Sequence, residues 1–177
     1  KHPGVFACAA FTAPLLGVQK LKKIPLSSLL LPLLYRIAPT SYVFGGHDWQ
    51  IETRQNPLDY TYSHDVTRNQ IHNAWCEFDT GLQVGSPTFG WLYHANKSCQ
   101  VIFNAIKSGI TMPPQLVALA IEETIVDNVN IRNYAQHQPT TRLLELSPSG
   151  HEIMMETDAL RNQFLHAFFD FVNGNTS

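Results

Sequence analysis

The sequence predicts an α/β fold built on a parallel sheet, and three observations predict it. Two short apolar runs, Gln115 to Ile121 and Arg142 to Leu146, have strand length and end at polar or turn residues, Glu122-Glu123 and Ser147-Pro148-Ser149-Gly150. Between them, Asp127 to Gln138 opens on a residue suited to cap a helix and closes before Pro139. After them, Asp158 to Asn173 spaces Leu160, Phe164, Leu165, Phe168, Phe171 and Val172 along one helical face, with Gly174 at the stop. Strand, helix, strand, helix is the order that a parallel sheet with packed helices requires.

The first element in chain order is Gly4 to Ala13, a near-continuous run of small, β-branched and aromatic residues ended by Pro14. Such a run suits a strand covered on both faces. From about Gly17 to Gly109 the pattern changes to aromatic clusters (42–49, 60–62, 89–93) and helix-like stretches without a clear strand. A helical insertion between two strands of a parallel sheet sits above their C-terminal edge, where ligands bind in open α/β sheets. Its most apolar stretch, Ile24 to Ala38, is shorter than the ~20 residues of a bilayer span and holds two prolines, two serines and Arg36. Its place inside the chain reads against a signal peptide. It reads as a buried or half-buried helix. The alternative is an amphipathic surface touching lipid or an acyl chain, for which Lys20, Lys22 and Lys23 just before it speak.

Composition narrows the function. The chain has 177 residues, 44% of them hydrophobic, and a formal net charge of −2. Charged residues make up 15%, against about 25% in an average protein, which excludes a disordered tail, a coiled coil and a basic nucleic-acid module. No nucleic-acid partner is expected. Cys8, Cys76 and Cys99 are odd in number and widely spaced, so neither a disulfide framework nor a zinc motif is suggested, and no cysteine nucleophile has a local signature. His47, His64, His72 and His94 mingle with Asp48, Asp65 and Asp79 but lack a ligand spacing, so no metal is expected. The chain opens Lys1-His2-Pro3 without Met and is expected to be part of something longer.

The candidate chemistry lies after the two strands. Glu122-Glu123 follow the first directly, and His151 sits in the loop after the second. On parallel strands, both loops fall on the same sheet edge. A carboxylate bound to one imidazole nitrogen fixes the tautomer and leaves the other nitrogen to take a proton from a nucleophile. Acid before histidine is also the second half of the order Ser, Asp/Glu, His.

Five segments then resemble one family. Pro113-Pro-Gln-Leu-Val-Ala-Leu-Ala-Ile-Glu-Glu-Thr-Ile-Val-Asp127-Asn128 is similar to the acid-bearing strand and loop of bacterial lysophospholipases and monoacylglycerol lipases. Ser149-Gly150-His151-Glu152-Ile153 resembles their histidine loop, with Glu156 to Asp158 opening the last helix. Phe11-Thr-Ala-Pro-Leu-Leu-Gly17 resembles the strand end that follows the nucleophile helix. Asn56-Pro-Leu-Asp-Tyr-Thr-Tyr-Ser63 and Val84-Gly-Ser-Pro-Thr-Phe-Gly-Trp91 resemble signatures of the cap in the lysophospholipase branch. The segments stand in the family's order and cover nearly the whole chain.

The resemblance implies the C-terminal part of an α/β-hydrolase sheet with an inserted, mostly helical cap. Residues 1–16 would hold the strand after the nucleophile helix, 17–109 the cap, and 110–177 the last strands and helices. His151 would be the triad histidine and Glu123 the acid, with Asp127 the second choice for acid and otherwise a helix cap. Glu122, one residue earlier, should point elsewhere. Leu15 and Leu16 would sit near an acyl group, and Phe89 and Trp91, with Tyr93 and Phe103, would line its pocket. Ordinary packing is the competing reading for all of these. No G-x-S-x-G elbow is present, since Ser86, Ser108 and Ser149 stand in other settings. The serine is therefore expected upstream of residue 1, and this chain alone is expected to be inactive.

The expected activity of the parent is hydrolysis of a lipid monoester, a lysophospholipid or monoacylglycerol, without cofactor. The expected partners are that lipid, the N-terminal half of the same fold and, as a secondary contact, a membrane surface. The expected place is the cytoplasm or the inner face of a bacterial membrane. A non-catalytic lipid- or partner-binding fragment of hydrolase ancestry is the alternative.

Overall fold

The computed structural model describes residues 5–22, 24, 26–54 (backbone alone at 53 and 54) and 61–176. Its centre is a three-stranded parallel sheet of β1 (Ala9–Thr12), β2 (Gln115–Ala120) and β3 (Thr141–Leu146), in that order across the sheet. Ala9 to Thr12 stand opposite Gln115 to Ala118, and Gln115 to Ala120 opposite Thr141 to Leu146. Every residue of β2 is buried, because this strand has a neighbour on each side and a helical layer on each face.

The alternation of β2 side chains divides the core in two. Leu116, Ala118 and Ala120 point to one face, where Phe164, Ala167 and Phe171 of α6 (Asp158–Asn175) close over them with Leu146 and Ile153. Val117 and Leu119 point to the other, against Ile131 and Tyr134 of α5 (Asn128–His137), with Ala13, Leu16 and Val126. Leu119 is fully buried, and burying a side chain of that size contributes about 1.5–3 kcal/mol.

The strand expected over 4–13 is shorter than the sequence suggests. Among the described residues it forms only at Ala9–Thr12, with Phe11 exposed, and Gly4 lies outside the described residues. Among the described residues β1 pairs on one side alone, with β2, so it lacks the second neighbour and second covered face that its composition anticipates.

Between β1 and β2 lies the insertion: α1 (Gln19–Lys22), α2 (Ser27–Ile37), α3 (Val66–Phe78) and α4 (Phe89–Lys107), with short 3-10 turns at Ile51–Arg54 and Thr80–Leu82. Helices α2 and α4 pack together, with the Tyr35 and Tyr93 rings stacked at 4.3 Å. The backbone N–H of Gly90 donates to the Pro39 carbonyl at 2.8 Å, and a Cβ at this residue would stand 2.7 Å from that oxygen. Only glycine permits this approach. Two isolated bridges, Val18 to Val126 and Tyr42 to Thr88, tie down the start of the insertion and its α4 end.

The leucine-rich stretch over 24–38 folds as α2, but it is less buried than expected. Leu31 is covered, whereas Leu26, Leu29, Leu30, Leu33 and Ile37 are exposed. Only one stripe of a helix can face α4, and a segment apolar on all sides leaves the remainder outside. Lys23, Pro25 and residues 55–60, which include most of the Asn56–Ser63 signature, lie outside the described residues. Among the described residues no helix is long and apolar enough to cross a membrane.

Candidate active site

Parallel pairing sets the site. Because β2 and β3 run side by side to the same edge, the loops leaving them are neighbours: Ile121 N–H donates to Leu146 O and Glu122 N–H to Ser149 O, both at 3.0 Å. The first loop carries Glu123 and the second carries His151. His151 Nδ1 lies 2.7 Å from Glu123 Oε2. An ionised carboxylate only accepts, so the ring nitrogen is the donor and the bond selects the tautomer with Nε2 unprotonated in the neutral ring.

The Glu123 carboxylate has no solvent-exposed side-chain surface. Burial pushes its carboxyl up, but the His151 hydrogen bond, the Ile125 N–H, the His151 charge and the Val126 N–H together outweigh burial and hold it below the ordinary value. The two backbone donors reach Oε1 at 2.7 Å from Ile125 and 3.2 Å from Val126. Both carboxylate oxygens are thus satisfied, one by the loop's own backbone and one by the histidine. His151 keeps a quarter of its side chain exposed.

Asp127 does different work. It is the N-cap of α5, accepting from Val129 N–H at 3.0 Å, and it pairs with the Lys22 ammonium. Glu122 reaches His64. Leu16 is buried in the core layer beneath α5, and Leu15 packs at its margin. Phe89 is buried at the start of α4, its ring edge-on to Phe44 at 5.4 Å, while half of Trp91 is exposed. The structure brings Glu123 and His151 together and places Asp127 on a helix end.

One participant at this edge escaped the sequence reading. His64 was one of four histidines mingled with acids, with nothing in its spacing to distinguish it. In the structure its ring lies between two carboxylates, with Nδ1 2.9 Å from Glu156 Oε1 and Nε2 3.0 Å from Glu122 Oε2. His72 and Cys76, one helical turn apart on α3, approach to 3.5 Å, but the thiol is buried and also donates to Leu82 O. Among the described residues no three of His, Cys, Asp or Glu converge as metal ligands would.

No family model matches the chain. By sequence it is similar to lysophospholipase L2 of Escherichia coli strain K12, 28% identical over 191 residues that cover 100% of this chain and 53% of the relative. It is also similar to the probable lysophospholipase L2 of Haemophilus influenzae, 27% identical over 173 residues, covering 93% of this chain and 51% of that one. By structure it is similar to a soluble variant of monoglyceride lipase from Saccharomyces cerevisiae, solved with a substrate analog, at a TM-score of 0.65 and 15% identity. That match covers 94% of this chain and 55% of the lipase. The α/β fold class stands on the structural likeness, and the resemblance to lysophospholipases stands on the two relatives found by sequence. The chain spans about half the length of the curated relatives it matches.

Proposed function

We propose that this chain is the acid- and base-bearing part of a serine hydrolase that cleaves lipid monoesters, most nearly a lysophospholipase. The observation that carries the reading is the 2.7 Å pairing of His151 with the buried Glu123 at the C-terminal sheet edge. Relatives named lysophospholipase supply the substrate class.

In this reading a serine from the rest of a longer protein faces His151 Nε2. The imidazole takes the hydroxyl proton as oxygen attacks the ester carbonyl, and the C–O bond to the alcohol breaks as that proton passes to the leaving oxygen. Water then repeats the sequence on the acyl-enzyme, with the proton moving through the same nitrogen. Glu123 keeps the ring oriented and stabilises the imidazolium, which its backbone-anchored position enables without rearrangement. The serine nearest to His151 in the sequence, Ser149, is fully buried, and its hydroxyl donates to the Gly150 carbonyl, so it is not offered to a substrate. The half-exposed Trp91 and the partly buried Leu15 would meet the acyl chain, with Phe89 and Leu16 packed behind them.

The test is lysophospholipid hydrolysis by the longer protein with three substitutions. His151→Ala and Glu123→Gln are each expected to lower kcat by about 10⁴-fold. Asp127→Asn, which retains a capping side chain, is expected to remain within a few-fold of the parent. Loss on Asp127→Asn with activity kept on Glu123→Gln would reverse the acid assignment. A parent protein that binds the lipid but releases no fatty acid would instead leave a non-catalytic binding protein.

A further inference from the structure

Residues 61–68 of the cap are fastened to the histidine loop by several independent bonds. His151 N–H donates to Thr61 O at 3.0 Å, Glu152 N–H to Tyr62 O at 2.8 Å, and the Ser63 hydroxyl to Met155 O at 2.7 Å. Arg68 donates to the Glu156 carbonyl and pairs with Asp158 at 2.5 Å. At the centre is the carboxylate of Glu156, wholly buried. It accepts from Gly150 N–H at 2.7 Å, from His64 N–H at 3.1 Å, and at 2.9 Å from the ring of His64.

The other nitrogen of that ring reaches Glu122, the residue immediately before the acid Glu123, at 3.0 Å. A single cap side chain therefore reaches the loops that carry both members of the pair. Through Glu156 it holds Gly150, next to His151, and through Glu122 it holds the backbone next to Glu123. Both ring nitrogens have carboxylate partners, so the ring cannot turn without giving up one bond. We propose that His64 is a positioning residue, by which the cap fixes the acid loop and the histidine loop at the spacing that keeps the Glu123–His151 bond short.

This inference rests on the catalytic reading for its kinetic consequence, but not for its structural one. A carboxylate-bound imidazole N–H gives a low-field proton resonance, and the one lost in His151→Ala, as distinct from any that His64 gives with its own carboxylates, reports the Glu123–His151 bond without any substrate. The experiment records that resonance, and kcat and KM for lysophospholipid, in the longer protein and in His64→Ala, His64→Gln and Glu122→Ala.

His64→Ala is expected to broaden or abolish the resonance and lower kcat by about 10- to 100-fold, with KM within about twofold, since the loss is one of alignment. His64→Gln, which keeps one donor toward a carboxylate, is expected to recover part of both. Glu122 is about half exposed, so Glu122→Ala tests the same bridge without emptying a buried site. It is expected to lower kcat by about three- to tenfold. A resonance and a kcat within twofold of the parent in Glu122→Ala and in folded His64→Ala would overturn the proposal. So would a loss that only tracks the folded fraction. Should the parent show the resonance yet hydrolyse no lipid ester, the catalytic reading fails, and the positioning role is decided by the resonance alone.

Discussion

Glu123 is a carboxylate without exposed surface that nevertheless has its pKa below the ordinary value, because what faces it favours the charged form more than burial opposes it. That difference is also a statement about stability. A group whose folded pKa is depressed binds more protons when unfolded, so its contribution is present above the unfolded value and is lost as pH falls through the folded one. Urea unfolding of the parent protein and of Glu123→Gln across about pH 3 to 6 isolates this term. Glu145 and Asp158, also depressed by their arginine partners, are common to both proteins and cancel in the difference. The parent is expected to lose stability more steeply on acidification than the variant. Equal slopes would mean that Glu123 is not held ionised in the folded state.

At the same scale the sequence was legible where a residue's role is local. Asp127 could be placed as a helix cap because capping needs only the following backbone N–H, and a carboxylate of Glu122-Glu123 facing His151 followed from two loops on one edge of a parallel sheet, with Glu123 singled out only by the family resemblance. His64 was not legible. Its partners, Glu122 and Glu156, come from 58 and 92 residues away, and no short-range pattern encodes a contact across that separation.

Among the elements, β2, β3, α5 and α6 were readable because their apolar periodicity is satisfied within the described chain. Strand β1 and helix α2 were readable as a strand and a helix but not in their burial, for one shared reason. Apolar composition reports that a segment can be buried, whereas burial itself depends on what packs against it, and both elements have one covered side. The insertion between β1 and β2 also depends on a contact that composition hides, the close approach of Gly90 to the Pro39 carbonyl. Gly90→Ala would place its Cβ 2.7 Å from that backbone oxygen, which no flexible side chain can relieve. The substitution is expected to cost about 1–3 kcal/mol and to loosen α4 from the Ala38–Ser41 turn. The check is the unfolding midpoint together with hydrogen exchange at the Gly90 amide. An unchanged midpoint and unchanged protection would show that the approach is not a constraint.

For the molecule as a whole, the arrangement divides the proposed chemistry unequally along the sequence. The described chain brings together Glu123 and His151, the proposed acid and base, and the inserted segment proposed to fasten them, while none of its serines stands in a nucleophile elbow. One oxyanion donor follows the nucleophile directly and the other comes from an earlier strand's loop, so both would belong with the serine. Removing the nucleophile and the oxyanion donors together removes transition-state stabilisation as well as the attacking atom, and what remains cannot turn over an ester. This chain expressed alone is therefore expected to fold its acid–histidine edge yet to show no His151-dependent release of fatty acid from lysophospholipid. Added in trans, a polypeptide supplying the G-x-S-x-G strand and helix is expected to restore turnover that His151→Ala abolishes. The open edge of β1, with Phe11 exposed beside it, is where those strands would join the sheet. His151-dependent turnover by the chain alone would overturn the division and place a nucleophile within these 177 residues.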